Sequence, residues 1–197
     1  MFLEIEFKYS QINSTMISAK NVQTGNEVCR KIAEGTLPDD YVLTATDEDL
    51  FGCYLNNKLE MGVNEEVMPL LKFCVQRNLT YNYVLCMCLL YKAGSGKEYL
   101  AYALQHSELF GLNSRYCDDD DEEPTPLHIA VNEGDFDSVR ALLAAGADRT
   151  IKSKTRAEIN EEEELDQVHP EWLRTPLELA QTKDFADEMR AIFNDAM

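Results

Sequence analysis

The stretch Thr125–Lys152 reads TPLHIAVNEGDFDSVRALLAAGADRTIK and holds two short helical patterns with their punctuation between them. Thr125 is a good helix N-cap, and Pro126 follows at the first helical position, where a missing N–H costs nothing. Leu127, Ile129, Ala130 and Val131 are apolar, and Gly134 ends the helix because glycine takes the left-handed conformation after a C-terminus without strain. A second helix starts near Phe136. Val139, Leu142 and Leu143 recur at helical spacing on one face, and Gly146 stops it in turn. Helices of about two turns do not stand alone in water. They must stack on neighbours, which predicts an all-α fold of helical hairpins.

A second copy opens at Thr175-Pro176-Leu177-Glu178-Leu179-Ala180, and Met189, Ile192 and Phe193 sit at the offsets of Val139, Leu142 and Leu143. Lys183-Asp184 stands where the first copy has Glu133-Gly134, so Asp184 is expected in the left-handed conformation, which Asp tolerates better than most residues. The pattern resembles the ankyrin repeat. The residues that carry the resemblance are Thr125-Pro126-Leu127-His128-x-Ala130, Gly134, Val139-x-x-Leu142-Leu143 and Gly146-Ala147-Asp148. The copies start about 50 residues apart instead of the family's ~33, which places an insertion near Arg156–Trp172. The resemblance implies an ankyrin-like solenoid over 118–197 and, upstream, a helical region over 1–117 that acts as an N-terminal cap or as degenerate repeats.

Tyr81–Lys92 is apolar nearly all round, as a central buried helix must be. Gly94-Ser95-Gly96 breaks it, and Lys97–Phe110 follows as one helix with Leu100, Ala103, Leu104 and Leu109 apolar. This unit resembles a degenerate ankyrin hairpin, with Gly94 in the place of Gly134. Further upstream, a short helix over Asn26–Glu34 stops at Gly35. Pro38 opens an element with Tyr41, Val42 and Leu43, and Asp47 caps a helix with Leu50, Phe51, Tyr54 and Leu55. A clearer helix from Asn64 places Val67, Leu70, Leu71, Cys74 and Val75 on one stripe and stops at Asn78. Phe2–Phe7 alternates as a short strand or an irregular arm. Two repeats bury too little surface to be stable, so the upstream helices are expected to cover the open side of the repeat at Thr125. Lys183, Asp187, Glu188, Arg190 and Asp195 give the last copy the polar outer side of a terminal cap.

The chain has 36 acidic and 18 basic residues, a net charge of −18. Such a chain avoids nucleic acid and anionic membrane and attracts basic partners, although acidity is also a plain route to solubility. Two runs concentrate it: Asp118, Asp119, Asp120, Asp121, Glu122 and Glu123 before the first repeat, and Glu161, Glu162, Glu163 and Glu164 with Asp166 in the insertion. The ankyrin resemblance implies that both occupy successive finger positions between repeats and project the same way. They read as solvated loops or as an acidic rim for a Lys/Arg-rich protein. Calcium is the remaining reading, but six consecutive carboxylates lack the spaced ligands and turn glycine of a calcium loop. By the same resemblance Asn132, Glu133 and Asp135 join the expected protein-binding face. Trp172, the single tryptophan, either clamps the insertion or serves as an aromatic anchor, and Phe136 carries the same two readings.

Residue chemistry for catalysis is sparse. Cysteines lie at 29, 53, 74, 86, 88 and 117, and without an export signal they are expected reduced and buried in a cytoplasmic protein. The longest apolar run, Tyr83–Tyr91, is far shorter than the ~20 residues of a membrane helix. Cys86-Met87-Cys88 has neither a paired motif nor a nearby histidine, so no zinc site is expected. Gly94-Ser95-Gly96-Lys97 fails as a phosphate loop because Tyr91 stands where the first glycine belongs. His128 belongs to the repeat opening and is matched by Glu178, which makes it a capping and packing residue. His106 falls in a helix, and His169 precedes Pro170. No catalytic residue, metal or cofactor is expected. The function implied is a non-catalytic protein–protein interaction module that binds and inhibits a basic protein, in the manner of an immunity protein or antitoxin. The alternatives are a bacterial effector or adaptor that binds a host protein, and an enzyme with its site in residues 1–117.

Overall fold

The computed structural model describes residues 27–61, 64–91, 96–116, 123–154 and 173–195. In chain order its elements are a helix over 27–33 (α1), α2 (Ala45–Met61), α3 (Asn64–Arg77), α4 (Val84–Leu90), α5 (Gly96–Gln105), α6 (Ser107–Phe110), α7 (Pro126–Asn132), α8 (Phe136–Ala144), β1 (Ser153–Lys154), β2 (Leu173–Arg174), α9 (Pro176–Ala180) and α10 (Ala186–Asp195). The alternation at Phe2–Phe7 and the break at Gly94-Ser95 lie outside these residues.

Among the described residues the helices pair as α2–α3, α4–α5, α7–α8 and α9–α10, and the pairs stack in a row. The first helices pack in sequence, α2 on α4, α4 on α7 and α7 on α9. Behind them α3 meets α5 and α8 meets α10. This is the all-α hairpin stack that the sequence pattern predicts. Burial follows position in the row. All of Val84–Leu89 in α4 and all of Pro126–Val131 in α7 are buried, because neighbours stand on both sides and a second helix stands behind. In α9 only Pro176, Leu179 and Ala180 are buried. One apolar core runs from Val28 to Phe193.

The helix ends are made locally, as the sequence suggests. After α7, Gly134 (φ 63°) donates to Val131 O and Asp135 donates to Ala130 O. After α8, Gly146 (φ 89°) and Ala147 repeat this pattern on Leu143 O and Leu142 O. Asn78 ends α3 in the same way at φ 55°. The positions are not equivalent in space. A Cβ on Gly134 would stand 2.9 Å from Cε1 of Phe185, whereas one on Gly146 would meet nothing within 4 Å.

Four expectations are corrected. Residues 41–44 are not helical, and Val42 is 81% exposed. Thr44, not Asp47, caps α2, and Asp47 sits inside the first turn. Its Oδ2 accepts from Thr44 N at 2.9 Å while Asp47 N donates to Thr44 Oγ1 at 3.2 Å, a reciprocal box that fixes the start at Ala45. Lys97–Phe110 is two helices, with His106 in the break at φ −125°, ψ 40°. The bend sends Leu109 and Phe110 into the core, and Leu109 O then accepts from Tyr81 N at 2.8 Å. Finally, Asp184 is not left-handed: Asn78 is the sole non-glycine with positive φ among the described residues. Helix α9 stops early at Ala180. Thr182 N then bonds Leu179 O and Lys183 N bonds Ala180 O, so the turn tightens without a left-handed residue.

Two measurements test this stack. A fragment of residues 118–197 strips α4 from α7, and each large apolar side chain left exposed forfeits about 1.5–3 kcal/mol. It should show no cooperative thermal transition by circular dichroism, and a sharp one would contradict the continuous stack. In the full chain, Gly134→Ala and Gly146→Ala share a left-handed penalty of about 1–2 kcal/mol. Gly134→Ala should lose more in urea unfolding because of Phe185, and equal losses would mean that ring gives way freely.

Candidate functional site

The segments that lead into α7 and α9 carry the acidic runs, and their roots are well built. Tyr116 N donates to Pro124 O at 3.0 Å, closing the first segment on either side of 117–123. The second is closed by β1 and β2, antiparallel with Ser153 opposite Arg174 and Lys154 opposite Leu173. The two roots are then tied to each other. Ser153 Oγ donates to Glu123 O, Arg115 Nη2 donates to Lys152 O at 2.9 Å, and Arg115 Nη1 lies 3.2 Å from Glu123 Oε2. Asp148 N donates to Asn113 Oδ1 at 2.8 Å on the approach to the same place. The buried thiol of Cys86 faces Ser114 O and Pro124 O at 3.9 and 4.0 Å, which seats the first root on α4. Residues Asp118–Glu122, Glu161–Glu164, Asp166 and Trp172 lie outside the described residues. Glu123 is the member of the runs whose placement is described.

His128 links this region to the hairpins. Its Nε2 lies 2.9 Å from Arg174 O. A carbonyl only accepts, so Nε2 carries the proton. In the neutral ring Nδ1 is then an acceptor, 2.8 Å from Thr125 Oγ1 and 3.4 Å from Thr125 N. One imidazole thus closes the cap of α7 and holds the strand that feeds α9. Its counterpart Glu178 accepts from Thr175 N at 2.7 Å and donates its own N–H to Thr175 Oγ1 at 3.2 Å. The capping role inferred for His128 from sequence is the one it plays. Burial holds its pKa below the ordinary 6.5, and the bond to Arg174 O opposes that only in part.

Asn132, Glu133, Asp135 and Phe136 sit at the other end of α7, roughly 10 Å of helix away from Thr125. They are not brought to the finger roots. Asp135 caps α8, accepting from Ser138 N at 3.1 Å and Ser138 Oγ at 2.8 Å. Asn132 Oδ1 accepts from Lys183 Nζ at 2.8 Å. Phe136 is half-buried, edge-on to Phe185 with centroids 5.7 Å apart. Glu133 is exposed at the C-cap. Sequence reasoning missed Arg115, Tyr116 and Ser153, which build the roots. Their one sequence signal is that Arg115 and Tyr116 stand just before the run that starts at Asp118, while Ser153 has none.

Thiol chemistry is muted here. Burial pushes Cys29, Cys74 and Cys88 up to about 12, and raises Cys86 and Cys53 as well, so these thiols stay protonated and poorly nucleophilic at neutral pH. Among the described residues no group of His, Cys, Asp and Glu is arranged to hold a metal ion, and no helix is long and apolar enough to cross a membrane.

The ankyrin repeat family model matches residues 125–154, from the capped Thr125 to the end of β1. These residues are an ankyrin repeat. No curated protein and no solved structure matches the chain. Ankyrin repeats mediate protein–protein interaction and are typically non-catalytic, so a protein is the class of partner that this module serves.

The His128 bridge makes stability depend on pH with a definite sign. Well above 6.5 the ring is neutral in both states and the bridge contributes fully. As pH falls below that, the unfolded chain takes up the proton first, and stability declines until the lower folded-state value is passed. The melting temperature should therefore fall between about pH 7.5 and about pH 5.5. His128→Gln, which can still complete a capping box, should start lower but slope less over that window. Carboxylates held low by their bonds, such as Glu178 and Asp148, lose their contribution only below it. An unchanged slope in the variant would remove the bridge from the account.

Proposed function

We propose that this chain is a capture module for a basic protein, and that it blocks its partner as an immunity protein or antitoxin blocks a toxin. The observation that carries the reading is the bonding of the two finger roots into one platform. Ser153 and Arg115 tie the segment bearing Asp118–Glu123 to the segment bearing Glu161–Glu164. Segments joined at their roots offer both acidic runs of the sequence to one partner, where dispersed charges would be screened singly within about 10 Å. A net charge of −18 adds long-range attraction, and complementary charge mainly speeds association. The apolar anchor of such a face is Trp172, the residue of the insertion best suited to a central contact.

The test uses the immobilised full chain. A basic protein from the source cells should bind at about 50 mM salt, elute by about 500 mM, and associate at least about tenfold more slowly with a variant carrying Asn at 118–121. A partner held equally at both salt concentrations, or by that variant, would confine the acidity to solubility.

A further inference from the structure

A groove of about 560 Å³ opens beside the first finger root, between α2, the 79–83 loop and Arg115-Tyr116. That volume is within the range of sites that enclose a small ligand or a single long side chain. Its two carboxylates only accept hydrogen bonds, and two of its tyrosine hydroxyls have no proton to donate into it. Glu48 and Asp49 stand exposed at the edge, in the first turns of α2. The hydroxyls of Tyr81 and Tyr83 spend their protons on α2, donating to Glu48 O at 2.8 Å and Gly52 O at 2.6 Å, so neither donates into the groove. The guanidinium of Arg115 is committed to Glu123 and Lys152 O. Thr80 and Asn82 serve either sense. Gly52 lets the Tyr81 ring lie close against α2 in the groove wall: a Cβ there would stand 2.7 Å from Cε1 of Tyr81. Tyrosine rings with carboxylates at the rim favour a cation with an aliphatic stem, and disfavour an anion.

We infer that this groove receives the lysine or arginine side chain of an extended basic segment lying across the finger roots. This rests on the capture of a basic protein proposed above, and adds where one of its side chains is held. Arg115 belongs to both the groove wall and the finger root, so a chain crossing the fingers passes the groove mouth.

The probe is the synthetic peptide acetyl-GKGKGKGK-amide, titrated into the ¹⁵N-labelled full chain at low salt. The expected result is movement of the Gly52, Tyr81 and Asn82 amide signals, with affinity lowered at least about fivefold by Glu48→Gln with Asp49→Asn. Both substituted side chains are exposed, so the variant should keep the parent spectrum elsewhere. If it does not, the wild-type shift map decides alone. Binding with shifts confined to the neighbours of Glu123 and Lys152, or with unchanged affinity in the variant, overturns the groove and leaves finger capture standing. Equal shifts from acetyl-GEGEGEGE-amide overturn the charge preference of the groove. No binding of the lysine peptide overturns the groove together with the basic partner.

Discussion

One imidazole, used in two directions, sets the geometry of the C-terminal half. A neutral histidine has one donor and one acceptor on opposite sides of a flat ring. In His128 the acceptor closes the start of α7 and the donor reaches Arg174 O in the segment that feeds α9. A hairpin cannot be set down at random on its predecessor if a buried ring must meet a particular carbonyl across the gap. Glu178 does only the backward half of this work, because a carboxylate can accept from Thr175 N but has no proton to offer forward. The exchange of His for Glu between the two copies is thus a difference in chemistry with a structural meaning.

The parts of the fold that were legible in the sequence are those settled within a few residues. Thr125, Thr175, Asn78, Gly134 and Gly146 act through their own backbone and the adjacent turn, and they do what the pattern says. The uniform apolarity of Val84–Leu90 foretold a helix enclosed on most sides, since only neighbours all round could bury it. What failed turned on side-chain bonds and packing that apolar spacing does not reveal. Tyr41, Val42 and Leu43 look apolar enough for a helix, but the Thr44–Asp47 box starts the backbone later. Nothing near His106 announces a break, which follows from where Leu109 and Phe110 find room. At Lys183-Asp184 the sequence lacks the glycine, and the backbone answers with a tighter turn.

The site was legible by half. Charge runs are visible in any sequence, and the ankyrin resemblance implies neighbouring fingers for them. The bonds that join the finger roots involve Arg115, Ser153 and two backbone carbonyls, at Lys152 and Glu123, none of which a pattern singles out. The ankyrin resemblance implies a binding face with Asn132, Glu133 and Asp135, and Phe136 reads as a clamp or an anchor; Asn132, Asp135 and Phe136 all have bonding or packing roles within the stack. Two of them engage the next hairpin, through Lys183 and Phe185, and Asp135 caps its own helix. Side chains at such turns face two demands, and here cohesion of the stack uses most of their capacity.

The short pairing of β1 with β2 has an evolutionary consequence. Because Ser153–Arg174 and Lys154–Leu173 close the insertion at its neck, the stack registers only that the ends meet. Closure entropy grows slowly with loop length, by about 0.6 kcal/mol per doubling. Residues between Lys154 and Leu173 can therefore be lengthened, shortened or recoded with little effect on the hairpins beneath. Selection can change the chemistry of this segment without renegotiating the fold.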